Sequence, residues 1–481
     1  MNQKQAPLYE ALKKIREKHI IPFDVPGHKQ GKGNPLLLEF LGEQTLRADV
    51  NSMKPLDNIG NPISVIKDAE KLLAQAYCAD EAFLLVNGTT SGVQAMVMAA
   101  CQPNEKIILP RNVHESAIHA LILSGAIPVY MQPEIHQDLN ILGGVPYERV
   151  EEAIEEHPDA KAVFLTNPSY YGMASNLKKI IRLAHKKNML VLVDEAHGAL
   201  FRFHPDLPIS AMEAGADMSA VSLHKTAGSL SQSSALLLNE RILQRNYVKT
   251  ILNLTQTTSA SYLLMASLDL ARQMLATQGK QIITNLLQLV KYARKKINAI
   301  DGYYAYGQER INGQGIYALD PTKLGIKVSE LGLTGHQVYD ILRDQYNIQM
   351  EFGDSYCVLA MLGVGDQKEW IDRLIHALKD IAKKYRTGQK FTIQINFCNP
   401  HIVVSPRTAF YEKKITIPLE QSIGKISGES VMAYPPGIPI ISPGELISQN
   451  IIDQIHFLQS QKTIMTGLAD QKMKTIQILS L

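Results

Sequence analysis

MLVLVDEAHG, residues Met189–Gly198, reads as a strand that ends in an acid. Five apolar residues, Met189 to Val193, run without alternation, the pattern of a strand covered on both faces. Asp194 then stands at the carboxyl end, where open α/β sheets bind their ligands. Working outward, similar runs recur at Ala82–Val86, Lys106–Leu109, Ile127–Met131, Ala162–Thr166, Met218–Leu223 and Ser234–Leu238. Between them lie helical patterns such as Ser64–Tyr77, with a serine at the capping position, and Leu177–Lys187. The alternation predicts an α/β fold: a large domain built on a mostly parallel sheet with helices on both faces.

Beyond Thr250 the pattern turns helical, running with interruptions from Ala260 to Ile300. Strand candidates Lys323–Val328, Gln349–Glu351 and Tyr356–Leu362 then interleave with helices Thr334–Gln345 and Gln367–Lys384, which predicts a smaller α/β domain. Tyr385–Lys390 reads as a linker, and YPPGIPIISPGE, Tyr434–Glu445, must be extended and turned. The expected division is 1–300 for an N-terminal arm and large domain, 301–385 for the small domain, and 386–481 for a C-terminal α+β domain.

Composition narrows the function. The 481 residues are 45% hydrophobic, 20% charged and 6% aromatic, as in an ordinary soluble globular protein rather than a disordered or fibrous one. Forty-nine Lys and Arg against 46 Asp and Glu leave a net charge of +3 without long blocks, so neither nucleic acid nor an anionic membrane is called for. Cys78, Cys101, Cys357 and Cys398 form no CxxC pair, which speaks against a disulfide framework or zinc site and for a reducing cytoplasm. Residues 1–20 offer no apolar signal core, and no run reaches the length of a membrane span.

Three further motifs fall at the same sheet edge as Asp194. Ser222-Leu223-His224-Lys225-Thr226 follows a strand, and a lysine there is a candidate for covalent capture of a carbonyl. Asn87-Gly88-Thr89-Thr90-Ser91-Gly92 lies between a strand and a helix expected to start near Ser91, where free N–H groups and hydroxyls cradle a phosphate. His114, in Arg111-Asn112-Val113-His114-Glu115, can stack on a ring, while the five-residue spacing to His119 turns the two away from a shared metal. A P-loop is excluded because Gly27–Lys32 lacks the Ser or Thr that binds magnesium. Phosphate cradle, acid, stacking ring and lysine are the parts that pyridoxal 5′-phosphate needs. Gly88 to Ser91 would anchor the phosphate, Asp194 would keep the pyridine nitrogen protonated, His114 would cover a ring face, and Lys225 would hold the aldehyde.

With these residues in view, the chain resembles the fold-type I pyridoxal-phosphate enzymes, and among them the bacterial Orn/Lys/Arg decarboxylases, nearest to the short arginine decarboxylases of Gram-positive bacteria. The likeness runs through Pro7-Leu8-Tyr9, Val25–Lys29, NGTTSG (Asn87–Gly92), RNVHES (Arg111–Ser116), TNPSYYG (Thr166–Gly172), VDEAHG (Val193–Gly198), SLHKTAGSLSQSS (Ser222–Ser234) and YPPGIPIISPGE. The resemblance implies Lys225 as the cofactor lysine and Asp194 as the ring-nitrogen partner. It implies cofactor contacts from His114 and His197, and phosphate contacts from Thr89, Thr90, Ser91, Ser222 and His224. Thr255–Ser259 matches a segment that reaches the neighbouring subunit's phosphate, which puts Thr258 in the site and implies a homodimer with shared active sites. Larger relatives carry an N-terminal wing that supports decamers; this chain starts at the cofactor domain, so a dimer is expected and a larger oligomer is left open. Relatives commonly show Leu-Asp-Asp-Leu-His where this chain has Leu56-Asp57-Asn58-Ile59-Gly60.

The implied reaction is decarboxylation of a basic L-amino acid in the cytoplasm, arginine to agmatine for polyamine synthesis, with lysine or ornithine as alternative substrates. The Cα proton would come from Lys225 or His224. A basic side chain needs an acidic partner, and Glu351 and Asp354 are the candidates. Other fold-type I activities, an aminotransferase above all, would use the same Lys225 and Asp194, but Arg343, Arg373 and Arg407 give no clear carboxylate-binding arginine. A non-catalytic cofactor-binding regulator would need a DNA-binding segment that the first 60 residues do not show, and a purely structural oligomerisation protein would need neither Asp194 nor Lys225.

Overall fold

The computed structural model describes residues 1–386, 400–434, 437–461 and 463–480. All seven runs expected in the large sheet are strands: β1 (Glu81–Leu85), β2 (Lys106–Pro110), β3 (Ile127–Met131), β4 (Ala162–Thr166), β5 (Leu190–Asp194), β6 (Met218–Val221) and β7 (Ser234–Leu238). Their order is β1-β7-β6-β5-β4-β2-β3. The sheet is mostly parallel, with β2 pairing in parallel with β3 and β4, whereas β7 runs antiparallel to β1 and β6. Every residue of β5, β6 and β7 is buried, which is why these strands read as unbroken apolar runs.

The chain divides into two compact units, residues 1–99 with 193–283, and residues 100–192 with 284–481. In the first, α1 (Pro7–Glu17) is tied down by Leu8 N–H donating to Asp269 at 3.0 Å. The buried Arg272 pairs with Asp269 and donates to the carbonyls of Gln3 and Gln5 at 2.8 and 2.6 Å. Helix α2 (Val65–Ala76) starts at Ser64 as expected, but the serine side chain does not cap it. Asp57 does so instead, its carboxylate accepting from Ser64 N at 2.7 Å and Ile66 N at 3.2 Å. Helix α3 (Gly88–Ala100) begins three residues before the expected start at Ser91, because Gly88 enters it with φ of +67°, a conformation a side chain would oppose.

The second unit contains α4 (Glu115–Ser124) and α5 (Leu177–Lys186), the latter capped by Asn176. Helix α6 (Tyr262–Ile297), whose first part belongs to the first unit, is a single helix of 36 residues without the expected interruptions. Its Gly279 is no break: a Cβ there would meet Phe203 at 3.2 Å, so glycine allows close packing. A four-stranded sheet follows, β8 (Tyr304–Ala305), β9 (Lys323–Lys327), β10 (Phe352–Gly353) and β11 (Cys357–Met361), in the order β8-β9-β11-β10. It is accompanied by α7 (Gly335–Tyr346), closed by a Thr334–Gln337 capping box, and α8 (Lys368–Tyr385). Gln349–Glu351 is not a strand. Asn347 ends α7 in a left-handed turn and Ile348 N bonds back to Leu342 O, so pairing starts only at Phe352. Tyr385 closes α8, and residues 387–390 of the expected linker lie outside the described residues, as does Cys398.

The last segment holds α9 (Pro406–Tyr411), β12 (Lys414–Pro418), β13 (Val431–Tyr434), β14 (Ile438–Ile441), α10 (Gln449–Ser460), β15 (Ile464–Thr466) and β16 (Thr475–Leu479). Strand β13 lies between β14 and β15, and β12 pairs with β16. Ile441, Ile447, Ile451, Ile455 and Ile476 form its core. YPPGIPIISPGE is extended and turned as expected, with Pro435 and Pro436 outside the described residues. No helix among the described residues is long and apolar enough to cross a membrane.

Candidate active site

Strand ends place the first unit's candidates. Lys225 sits in a single helical turn, Leu223–Thr226, immediately after β6 and Ser222. Its Nζ is 2.9 Å from Nε2 of the buried His197. Asp194 ends β5, is 7% exposed, and accepts from Ala196 N at 3.1 Å. Among the described residues no cation pairs with it, so a carboxylate is held at the sheet edge with room in its bonding for a donor from a ligand.

The phosphate candidates form a layered hydroxyl group. Ser222 is fully buried, with Oγ 3.2 Å from Thr89 Oγ1 and 3.4 Å from Ser234 Oγ. Thr89 and Thr90 occupy the first turn of α3, Thr90 exposed, where N–H groups have no partner within the helix and the macrodipole favours an anion. A Cβ on Gly88 would meet nothing within 4 Å, so the approach to that turn is open. Ser91 is buried and its hydroxyl donates to Gly88 O at 3.1 Å. These donors fit a phosphate, as Asp194 and Lys225 of the same unit fit a protonated pyridine and an aldehyde.

His224 has a narrower role than expected. Its Nδ1 lies 3.0 Å from the carbonyl oxygen of Ser233, which can only accept, so Nδ1 carries the proton and Nε2 the lone pair. Burial, reinforced by Lys225, pushes its pKa down, against the Ser233 bond. Thr258 is exposed on a loop after the helix Arg245–Thr255.

His114 belongs to the second unit. It follows β2 and caps α4, its Nδ1 accepting from Ser116 N at 3.1 Å. The acidic candidates are also there, and the structure separates them. Asp354 accepts from Tyr171 Oη at 2.7 Å and from the N–H groups of Tyr356 and Cys357 at 2.7 and 2.6 Å. Burial pushes its pKa up to about 6 against those bonds. Glu351 is exposed and accepts from Tyr170 Oη. Two arginines have partners already: Arg343 pairs with Asp340 and Asp344, and Arg407 donates to Ile122 O and Leu123 O. Arg373 lines a cleft of about 420 Å³ with Trp370 and Glu351.

The sequence reading missed three features: the buried Glu195, Asp57 as a helix cap, and a buried Arg111–Glu445 pair. The only signal was position: Glu195 lies in VDEAHG, Asp57 in Leu56–Gly60, Arg111 in RNVHES and Glu445 in YPPGIPIISPGE.

Comparison with known proteins now bears on this arrangement. Residues 6–370 match the Orn/Lys/Arg decarboxylase major domain, and residues 390–471 the C-terminal domain of the same family. The chain belongs to the Orn/Lys/Arg decarboxylase family. Within that family it is 44% identical to the arginine decarboxylase of Bacillus subtilis, over 95% of this chain and 94% of that protein. Identity to the lysine decarboxylase of Hafnia alvei is 24%, over 94% of this chain and 74% of that one. The crystal structure of the Francisella novicida lysine decarboxylase superposes with a TM-score of 0.85 at 22% identity, covering 99% of this chain and 81% of that one. The fold is therefore that of the decarboxylases, with the seven-stranded sheet as its frame.

Proposed function

We propose that this Orn/Lys/Arg decarboxylase family member converts L-arginine to agmatine and carbon dioxide with pyridoxal 5′-phosphate. The observation that carries the chemistry is Lys225 held 2.9 Å from His197, in the same unit as the unpaired acid Asp194 and the hydroxyl-lined start of α3. The preference for arginine is supported by the 44% identity to an arginine decarboxylase against 24% to a lysine decarboxylase.

When bound, pyridoxal phosphate supplies an electron sink for the bond between Cα and the carboxylate. Lys225 would hold the cofactor aldehyde. The α3 first turn, Thr89 and Ser222 would hold the phosphate, and Asp194 would keep a proton on the ring nitrogen. His114 would cover the ring. His197 orients the Lys225 amine through their contact. Lys225 delivers a proton to Cα in place of the lost carboxylate, because His224 presents a lone pair at Nε2 and burial opposes its protonation. Glu351, exposed and accepting from Tyr170 among the described residues, receives the substrate guanidinium, while Asp354, buried and held by Tyr171 and two backbone N–H groups, fixes the turn. The working unit is a cytoplasmic homodimer, with Thr258 reaching the partner's phosphate. Domain boundaries near 300 and 385 accompany this reading.

Borohydride reduction of the cofactor-loaded protein followed by peptide mapping tests the site: the pyridoxyl label should sit on Lys225. Label on another lysine, or none, would contradict it.

A further inference from the structure

The C-terminal segment grips the helix that carries His114 at both of its ends. Before the helix, Arg111 is 5% exposed and Glu445 1% exposed, and the two pair through both terminal guanidinium nitrogens, Nη2 to Oε2 at 3.0 Å. The same Nη2 donates to Ile440 O at 3.1 Å, and the guanidinium carbon lies 4.8 Å from the centre of the Tyr130 ring. Glu445 is in turn fixed by Ser442 N–H at 2.7 Å, so β14 and the turn after it act as one anchor. Arg111 N also donates to Met131 O at 2.9 Å, which ties its backbone to β3. At the far end of α4, Arg407 of α9 donates to Ile122 O at 2.8 Å and to Leu123 O, where a cation suits the helix C-terminus. Every group in this arrangement lies in the second unit.

A two-pronged Arg–carboxylate pair fixes orientation as well as distance, and burial raises the cost of breaking it. Arg111 is three residues before His114, with only Asn112 and Val113 between, and Val113 is fully buried. The turn therefore has little freedom of its own. We infer that Glu445 and Arg111 are positioning residues for His114, and that the C-terminal segment sets the plane of the ring-covering imidazole. This rests on the reading of His114 as the residue that covers the cofactor ring. It makes Glu445, at the end of the YPPGIPIISPGE motif, part of the reaction machinery through Arg111.

The test compares Glu445→Gln, Arg111→Lys, His114→Ala and the Glu445→Gln/His114→Ala double variant as cofactor-loaded proteins. Visible circular dichroism, cofactor dissociation constant and thermal unfolding are read for each. Glu445→Gln should keep the visible absorption band that depends on Lys225, yet weaken its dichroism and lower cofactor affinity by about 10- to 100-fold, as His114→Ala does. The double variant should lose no more than His114→Ala alone, and Arg111→Lys, which keeps the charge without the fork, should fall between. Arg407→Ala, acting at the other end of α4, should move the same signals and carries the test if Glu445→Gln does not fold. A lowered unfolding temperature with unchanged dichroism and cofactor affinity would overturn the inference, as would losses that multiply in the double variant. A wild-type protein with no visible band would overturn the reading of the site and this inference with it.

Discussion

Glu195 follows Asp194 directly, and the two acids have opposite environments. Successive residues at a strand end point to opposite sides, so Asp194 reaches the ligand edge while Glu195 turns inward. Glu195 is 1% exposed, accepts from Ala211 N at 2.8 Å and lies 3.1 Å from Ser219 Oγ. Burial pushes its pKa up from the ordinary 4.5 to about 8, against those two bonds. The folded protein thus keeps this proton where the unfolded chain has released it. The stability it contributes is complete below pH 4.5 and is lost as pH rises through about 8. Glu195→Gln carries no charge; its amide oxygen can accept from Ala211 N while its NH2 donates to the Ser219 hydroxyl, as the protonated acid would. Its stability relative to wild type should rise across that window by on the order of a few kcal/mol, read as diverging unfolding temperatures. Parallel curves from pH 4.5 to 8.5 would contradict the assignment. The motif shows two adjacent acids but not which of them Ala211 and Ser219 bind, because DEAH carries no alternation beyond the strand itself.

At the scale of elements, the seven large-sheet strands were legible because double burial leaves continuous apolar runs. Helix starts were less so. Gly88 hides the beginning of α3 because its left-handed φ leaves no trace in hydrophobic periodicity. Ser64 has the right identity and place for a cap, yet Asp57, seven residues earlier, accepts the N–H groups in its stead. A loop that folds back replaces a local cap with a distant one, and local sequence does not report it. The same holds for Asp354: its position in a charged turn suggests a free acid, but Tyr171 and two backbone N–H groups bind it. The Tyr-Tyr pair of TNPSYYG divides the two acidic candidates, Tyr170 on Glu351 and Tyr171 on Asp354.

For the molecule as a whole, the features hardest to read were those that join distant stretches. Arg111 and Glu445 are 334 residues apart, and Arg272 lies 269 residues from the Gln3 carbonyl that it holds. Shared sites between subunits are a property of this scale too. Thr258 is exposed, near exposed Leu254 in sequence, and lines a cleft with Asp57 and Gln256. If it serves the partner's phosphate, Lys225→Ala and Thr258→Glu are each inactive alone, but mixing equal amounts after dissociation and reassembly should restore about a quarter of wild-type activity. Half of the dimers are then mixed, and each mixed dimer has one site with both native residues. No recovery, with mixed dimers present by mass, would contradict sharing. The central claim, a decarboxylase that prefers arginine, is tested most directly by carbon dioxide release from arginine, lysine and ornithine in parallel, by wild type and Lys225→Ala. Release fastest from arginine and absent in the variant is the predicted result; release fastest from lysine or ornithine, or from none, would contradict it.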